Sequence, residues 1–318
     1  MKGIRHLAGI FLRGMAMGAA DIVPGVSGGT IAFITGIYFR LLGAISAIPS
    51  AFLRSLVKGR GRRFWHEIDG SFLIVLLAGV LSSVVGLANA ITWALETYPI
   101  ALWSFFFGLI LASVWHVLGR LKRWRWVLLV PLALGTAFAW WVTTLTISRV
   151  EPGALMFFLS GALAICAMIL PGLSGSFILL VLGMYAPVLT AVRDFDPVTL
   201  LLFLGGCVVG LLSFARILGF ALRRAHDPIL ALLTGFMIGA LNRVWPWQVV
   251  TSWRTDSGGH QVPMEQISVT PMHYAEVTGE PAQVTVAVVA LLIGIAVVLS
   301  GEWLAARFER EQGDDARV

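Results

Sequence analysis

The chain has 318 residues, of which 58% are hydrophobic and 13% charged, with a formal net charge of +6 and a mean hydropathy of +0.87. No ordinary soluble domain has this composition, and apolar runs recur that are long enough for a hydrocarbon core of roughly 30 Å, which needs about 20 helical residues. Nucleic acid is excluded as a partner because the basic residues lie between apolar runs rather than on one soluble face, and the lack of strand-like alternation speaks against a membrane barrel.

In chain order, Lys2 and Arg5 precede a short apolar run, Leu7–Leu12, which Arg13 interrupts, so the start reads as mature sequence rather than a signal segment. The first arm, Leu7–Ala20, is about 14 residues or roughly 21 Å as a helix, too short to cross. It ends at Asp21 and the break Pro24-Gly25-Val26-Ser27-Gly28-Gly29-Thr30, and a return arm completes a re-entrant hairpin over residues 7–48. Transmembrane helices are predicted at 71–95, 100–118 and 126–147. A second hairpin, 153–192, breaks at Pro171-Gly172-Leu173-Ser174-Gly175-Ser176, and further spans are predicted at 198–222, 229–244 and 284–304. Residues 245–283 are polar and read as an external loop, a candidate gate. Tryptophans gather at span ends, Trp245 and Trp247 among them, as an aromatic belt does. Cys166 and Cys207 lack metal or redox spacing and read as small buried hydrophobes; neither a metal site nor a cofactor is expected.

The two breaks are copies. Ile22–Tyr38 returns as Ile169–Tyr185 at a constant offset of 147 residues, with eight of seventeen positions identical. Each copy leads into a linker, a long span, a turn ending in proline (Pro99, Pro228) and a span with an internal glycine (Gly108, Gly235). The expected fold is therefore an all-α polytopic membrane protein of two repeats, 1–147 and 148–318, each a hairpin plus three transmembrane helices. Traced from a cytoplasmic N-terminus, 19 of the 23 basic residues fall on the cytoplasmic side, leaving Arg149, Arg193, Arg243 and Arg254 outside. By the positive-inside rule both termini are cytoplasmic, and the odd number of crossings per half makes the second repeat inverted, the design of secondary transporters.

Pro-Gly stops one helix and Ser-Gly opens another, exposing free amides and the positive end of a dipole. Such a start holds anions, phosphate above all, and glycine lets a ligand approach the backbone. The candidate cradle is Ser27, Gly28, Gly29 and Thr30 facing Ser174, Gly175 and Ser176, with Pro24, Gly25, Pro171 and Gly172 as the breaks. Arg13, half way along the first arm, is a candidate to bring its guanidinium to the phosphate or to pair with Asp21. The other reading is that these small residues permit only a kink and tight helix packing. Asp21, matched by Met168 in the second copy, is an intramembrane carboxylate that could carry a coupling H⁺ or Na⁺ or could cap the tip's amides.

Arg13-Gly14-Met15-Ala16-Met17-Gly18-Ala19-Ala20-Asp21-Ile22-Val23-Pro24-Gly25-Val26-Ser27-Gly28-Gly29-Thr30, with Ile169–Gly175 in the second half, resembles the PopT family of polyprenyl-phosphate transporters. The resemblance implies a flippase that binds undecaprenyl phosphate among the membrane lipids of the bacterial cytoplasmic membrane. It would return this carrier from the outer to the inner leaflet by alternating access, for reuse in cell-wall polymer synthesis. Ser176 and Phe177 depart from the Gly-Thr pair of the first motif. Two other classes use the same residues: an ion-coupled transporter of a small soluble anion, and an intramembrane serine hydrolase reading Gly25-Val26-Ser27-Gly28 as its nucleophile motif. The hydrolase needs a base beside the serine, and His116 sits at a span end, so an enzyme is not expected.

Overall fold

The computed structural model describes residues 2–22, 26–58, 61–119, 121, 123–145, 153–255 and 261–315, which are predominantly helical. The first arm is α1 (Lys2–Ile22), longer than the apolar stretch alone suggested because Lys2 and Arg5 join the helix. Beyond the break come α2 (Gly28–Ile34) and α3 (Tyr38–Lys58), bent by 118° from one another. Then follow α4 (Gly61–Glu67), α5 (Gly70–Thr97), α6 (Pro99–Gly119) and, after a 3-10 turn at Trp126–Leu128, α7 (Leu129–Thr143). The second hairpin has the same sequence of parts: α8 (Ala154–Ile169), then α9 (Gly175–Val181) and α10 (Tyr185–Arg193), bent by 108°. The chain continues through α11 (Pro197–Arg224) and α12 (His226–Ala240) to α13 (Pro271–Thr278) and α14 (Val284–Asp315).

The local backbone repeats as the motif does. In both hairpins the seven-residue helix ends at a glycine of positive φ, Gly36 at +74° and Gly183 at +69°. The amide after each glycine returns to a carbonyl five residues back, Ile37 to Ala32 at 3.0 Å and Met184 to Leu179 at 2.8 Å. This closes the helix and turns the chain sharply into the next one, a turn that a residue with a Cβ adopts only under strain.

Among the described residues four helices are long and apolar enough to cross a membrane: Gly70–Leu87, Pro99–Gly119, Trp126–Thr143 and Pro197–Arg224. Each bent pair, counted as one span, brings the number to six. Two predicted spans, 229–244 and 284–304, correspond to shorter apolar helices, His226–Ala240 and Val284–Ser300. On α5 the exposed positions Ile74, Leu77, Leu81 and Val85 recur every three or four residues, a helical face with no protein against it. Lipid is the solvent that tolerates such a face, and the chain is a multi-pass membrane protein.

Close helix pairs are made by small residues, as expected where lipid offers no hydrophobic drive to associate. A Cβ on Gly14 of α1 would strike the Leu76 carbonyl of α5, and one on Gly79 would strike Phe11. Gly161 of α8 and Gly206 of α11 repeat this relation against Phe203 and Phe158. The later helices exchange partners: α6 packs on α14 through Gly108 and Gly294, and α12 packs on α7 through Gly235 and Gly135. A helix from each sequence half thus pairs with one from the other.

The region 245–283, read from its polarity as an external loop, has secondary structure of its own. It forms an antiparallel ribbon of β1 (Gln248–Thr255) and β2 (Gln261–Ser268), pairing Gln248 with Ser268 and Thr255 with Gln261, followed by α13. A two-stranded ribbon needs only short segments, which a search for spanning runs passes over. Thr270 caps α13, and Pro271 occupies its first turn. Trp245 and Trp247 donate their indole N–H groups to the carbonyls of Val269 at 2.8 Å and Ala282 at 2.7 Å. Trp247 is buried with Ile100 and Ala287, with Trp245 partly buried against them, so these two tryptophans tie the region together.

Two compact units divide the chain: Met1–Thr92 with Leu121–Ala240, and Trp93–Arg120 with Leu241–Val318. They do not follow the two sequence repeats. Both broken hairpins lie in the first unit, and the α6–α14 pair and the ribbon lie in the second.

Candidate functional site

The site is assembled where the two broken tips touch. Ser27 lies in extended backbone (φ −119°, ψ 131°) as the N-cap of α2, its Oγ accepting from the Gly29 amide at 3.1 Å. The same hydroxyl lies within donating distance of two carbonyls of the second tip, Met168 at 3.3 Å and Leu170 at 3.4 Å. In return the Gly172 amide donates to Thr30 Oγ1 at 2.9 Å. Ser27 and Thr30 are 1% and 0% exposed, so these bonds are protected from competing water. The carbonyl end of α8 faces the amide end of α2, an arrangement in which the helix dipoles attract.

Glycine is required here by close approach. A Cβ on Gly28 would collide with the Asp21 carboxylate, and one on Gly29 with the carbonyls of Met168 and Ile169. Gly172 has φ +88°, and its Cβ would meet the backbone of Phe236 and Met237 on α12. Pro171, also buried, precedes it. Pro24 and Gly25, the predicted break of the first tip, lie outside the described residues.

The two tips differ in what remains open. At the first, Asp21 Oδ1 accepts from the Gly28 amide at 2.7 Å and Ser27 takes the next amide, so both leading amides of α2 are occupied. At the second, Ser174 makes no cap; its hydroxyl is 2.9 Å from that of Ser176, and among the described residues no acceptor holds the amides of Gly175 and Ser176. Ser174 is buried, while Ser176 is exposed. Arg13 is half-buried on α1, and no described hydrogen bond or ion pair joins it to Asp21 or to either tip. Arg40, at the base of the return arm, is held by Asp69 at 2.6 Å and lies 4.2 Å over the Phe72 ring.

Beside the tips is a cavity of about 130 Å³ lined by Asp21, Tyr38 and Gly29 and otherwise by apolar side chains including Met17, Ile165 and Met168. Tyr38 is 2% exposed, and its hydroxyl has no hydrogen-bond partner among the described residues. Tyr38 was not among the residues singled out from the sequence. The available signal was its place as the last identity of the repeat, aligned with Tyr185. The Ser27 hydroxyl thus faces two carbonyls, and the Ser174 hydroxyl faces that of Ser176. Among the described residues no group of three or more His, Cys, Asp or Glu could hold a metal ion.

Apolar helices around paired broken tips define the class, a multi-pass membrane protein with polar backbone gathered inside it. The chain belongs to the VCA0040-like family, described as undecaprenyl phosphate translocase-like, whose model matches residues 17–262. It is 50% identical over 298 residues, 93% of this chain and 96% of the relative, to a polyprenyl-phosphate transporter of Vibrio cholerae serotype O1. It is 34% identical over 257 residues, 74% of this chain and 85% of the relative, to a polyprenyl-phosphate transporter of Staphylococcus aureus. No solved structure matches the chain. The family and these relatives are named as transporters, not enzymes.

Proposed function

We propose that this protein carries a polyprenyl phosphate, undecaprenyl phosphate in bacteria, across the cytoplasmic membrane and returns it from the outer to the inner leaflet for reuse in cell-wall polymer synthesis. The observation that carries this reading is the joining of two broken tips, Thr30 to Gly172 at 2.9 Å, in a chain 50% identical to a polyprenyl-phosphate transporter. The second tip seats the phosphate: the hydroxyls of Ser174 and Ser176 and the amides of Gly175 and Ser176 supply donors, and Ser176 is reachable from outside. The first tip, with Ser27, Gly28, Gly29 and Thr30, forms the wall that holds the second in shape. Arg13 meets the head group during transit rather than at rest. The isoprenoid tail stays in lipid throughout.

Alternating access suits an inverted repeat with re-entrant hairpins, in which each half presents one tip to the shared site. Two features support that design: the identical Gly36 and Gly183 turns, and the exchange of partners in α6–α14 and α7–α12, which a pseudo-two-fold relation between halves requires. Both termini are cytoplasmic by the distribution of basic residues.

The test is leaflet exchange of undecaprenyl phosphate in liposomes containing the purified protein. Wild type should exchange the lipid, and a Ser174→Ala, Ser176→Ala protein should lose on the order of tenfold or more, since a hydrogen bond to a charged group is worth about 1.5–3 kcal/mol. Equal rates would remove the second tip from the phosphate site. No exchange by wild type, with transport of inorganic phosphate instead, would replace the lipid by a soluble anion.

A further inference from the structure

The first tip contains a group that seating a phosphate does not use. Asp21 is the one acidic residue of α1 and lines the cavity with Tyr38. One carboxylate oxygen accepts from Gly28, and no described ion pair reaches the side chain. The carbonyls of Met168 and Ile169, at the C-terminal end of α8, pack against Gly29 in the cavity wall. Helix carbonyl ends favour cations.

Several charged groups lie at the helix ends remote from the tip in sequence: Lys2, Arg5 and His6 begin α1, Arg54 and Lys58 end α3, and Arg223 and Arg224 end α11, while His226 of α12 stacks on Phe39 and pairs with Asp227 at 2.9 Å. On α1 Arg13 lies about two turns before Asp21, and on α3 Arg40 is held by Asp69. On α8 and α11 the thiols of Cys166 and Cys207 point at the carbonyls of Gly210 and Gly161, at 3.6 Å and 3.5 Å. Arg216 of α11 is exposed, and α2 and α9 carry no ionisable residue. Tyr38 remains as the polar neighbour in the cavity, its hydroxyl buried and unpartnered among the described residues.

We propose that Asp21, Tyr38 and their cavity form a proton-binding site, and that proton and polyprenyl phosphate move together. The lining chooses the ion. A metal cation surrenders its water only to a shell of several oxygens, whereas Asp21 and Tyr38 are the only polar side chains of the lining and the Met168 carbonyl already faces the Ser27 hydroxyl at 3.3 Å. A proton needs one carboxylate oxygen. It adds to Asp21 from water that enters the cavity, whose volume of about 130 Å³ holds several molecules, and gives the neutral acid, a donor for the Tyr38 oxygen. An ionised Asp21 beside the joined tips repels an arriving phosphate, and the neutral acid does not. Each ligand therefore favours the other by the same factor, and a proton gradient drives the lipid. Met168 at the matching position of the second tip makes this a single proton site rather than a duplicated one.

This coupling rests on the lipid-phosphate reading; the site itself does not, so two measurements are made on the full-length protein in liposomes. The first is the infrared difference spectrum on a pH jump, without added lipid phosphate. Wild type should show the carbonyl band of a protonated carboxylic acid, Asp21→Asn should lack it, and Tyr38→Phe should shift its frequency. A wild-type spectrum without the band, or a band that survives in Asp21→Asn, overturns the site. The second is the steady-state ratio of undecaprenyl phosphate between the two leaflets under a proton gradient, relative to that without one, in sodium-free buffer. For one coupled proton the wild-type ratio should approach about tenfold per pH unit, and it should fall to one in Asp21→Asn. An unchanged ratio in that variant overturns the coupling, and a response to a sodium gradient alone assigns the site to sodium instead. An Asp21-dependent band without any exchange supports the site and refutes the lipid-phosphate reading.

Discussion

The two tips share Pro-Gly-x-Ser-Gly, yet one is closed and the other open. At the first, Asp21 and Ser27 occupy the amides of Gly28 and Gly29, and Thr30 holds the Gly172 amide. At the second, Met168 stands where Asp21 would be, Ser176 where Gly29 would be and Phe177 where Thr30 would be, and the Ser174–Ser176 pair reaches the surface. The duplicated motif thus differs between its copies at three side chains, Asp21/Met168, Gly29/Ser176 and Thr30/Phe177.

Mutations can break this division. The largest expected effect is that of Gly172→Ala, which combines a strained positive φ with a collision against α12; about 2–4 kcal/mol should be lost in thermal or denaturant unfolding of the detergent-solubilised protein. Thr30→Val keeps the shape but leaves the buried Gly172 amide without its acceptor, at about 1–3 kcal/mol by the same measurement. Ser176→Ala should change stability by less than about 0.5 kcal/mol while lowering lipid exchange, because Ser176 is exposed. If Ser176→Ala destabilised as strongly as Thr30→Val, the second tip would be an anchor as well.

The smallest effect separates the two linkers. Asp69, ahead of α5, pairs with Arg40 at 2.6 Å, whereas Asp196, ahead of α11, caps its own helix through the amides of Val198 and Thr199. The Thr199 hydroxyl, aided by these amides, holds the Asp196 carboxyl below its ordinary value. A depressed carboxyl contributes stability above its unfolded value and loses it as pH falls through the folded one. Unfolding measured below pH 4 should therefore show a slightly smaller acid sensitivity in Asp196→Asn than in wild type.

Much of this was legible in the chain. The span predicted over residues 198–222 from its apolar run is α11, Pro197–Arg224. The offset of 147 residues identified both tips, and the paired hydroxyls and glycines at them belong to the candidate cradle. Other features were hidden because they depend on partners distant in the chain. Trp245 and Trp247 have the sequence signature of an aromatic belt, but their indoles donate to Val269 and Ala282. Residues 248–268 lack the long apolar run that marks a span, and only pairing reveals the ribbon. Tyr38 is an unremarkable aromatic until the fold buries its hydroxyl without a described partner.

By itself the sequence determined the solvent, the helices and the two breaks, because hydropathy, proline and glycine act on the residues that carry them. Only the tertiary structure decided which donors at the breaks are free. Whether Ser27 faces a ligand or the Met168 carbonyl depends on a residue 141 positions away, a relation that no local property of the chain contains.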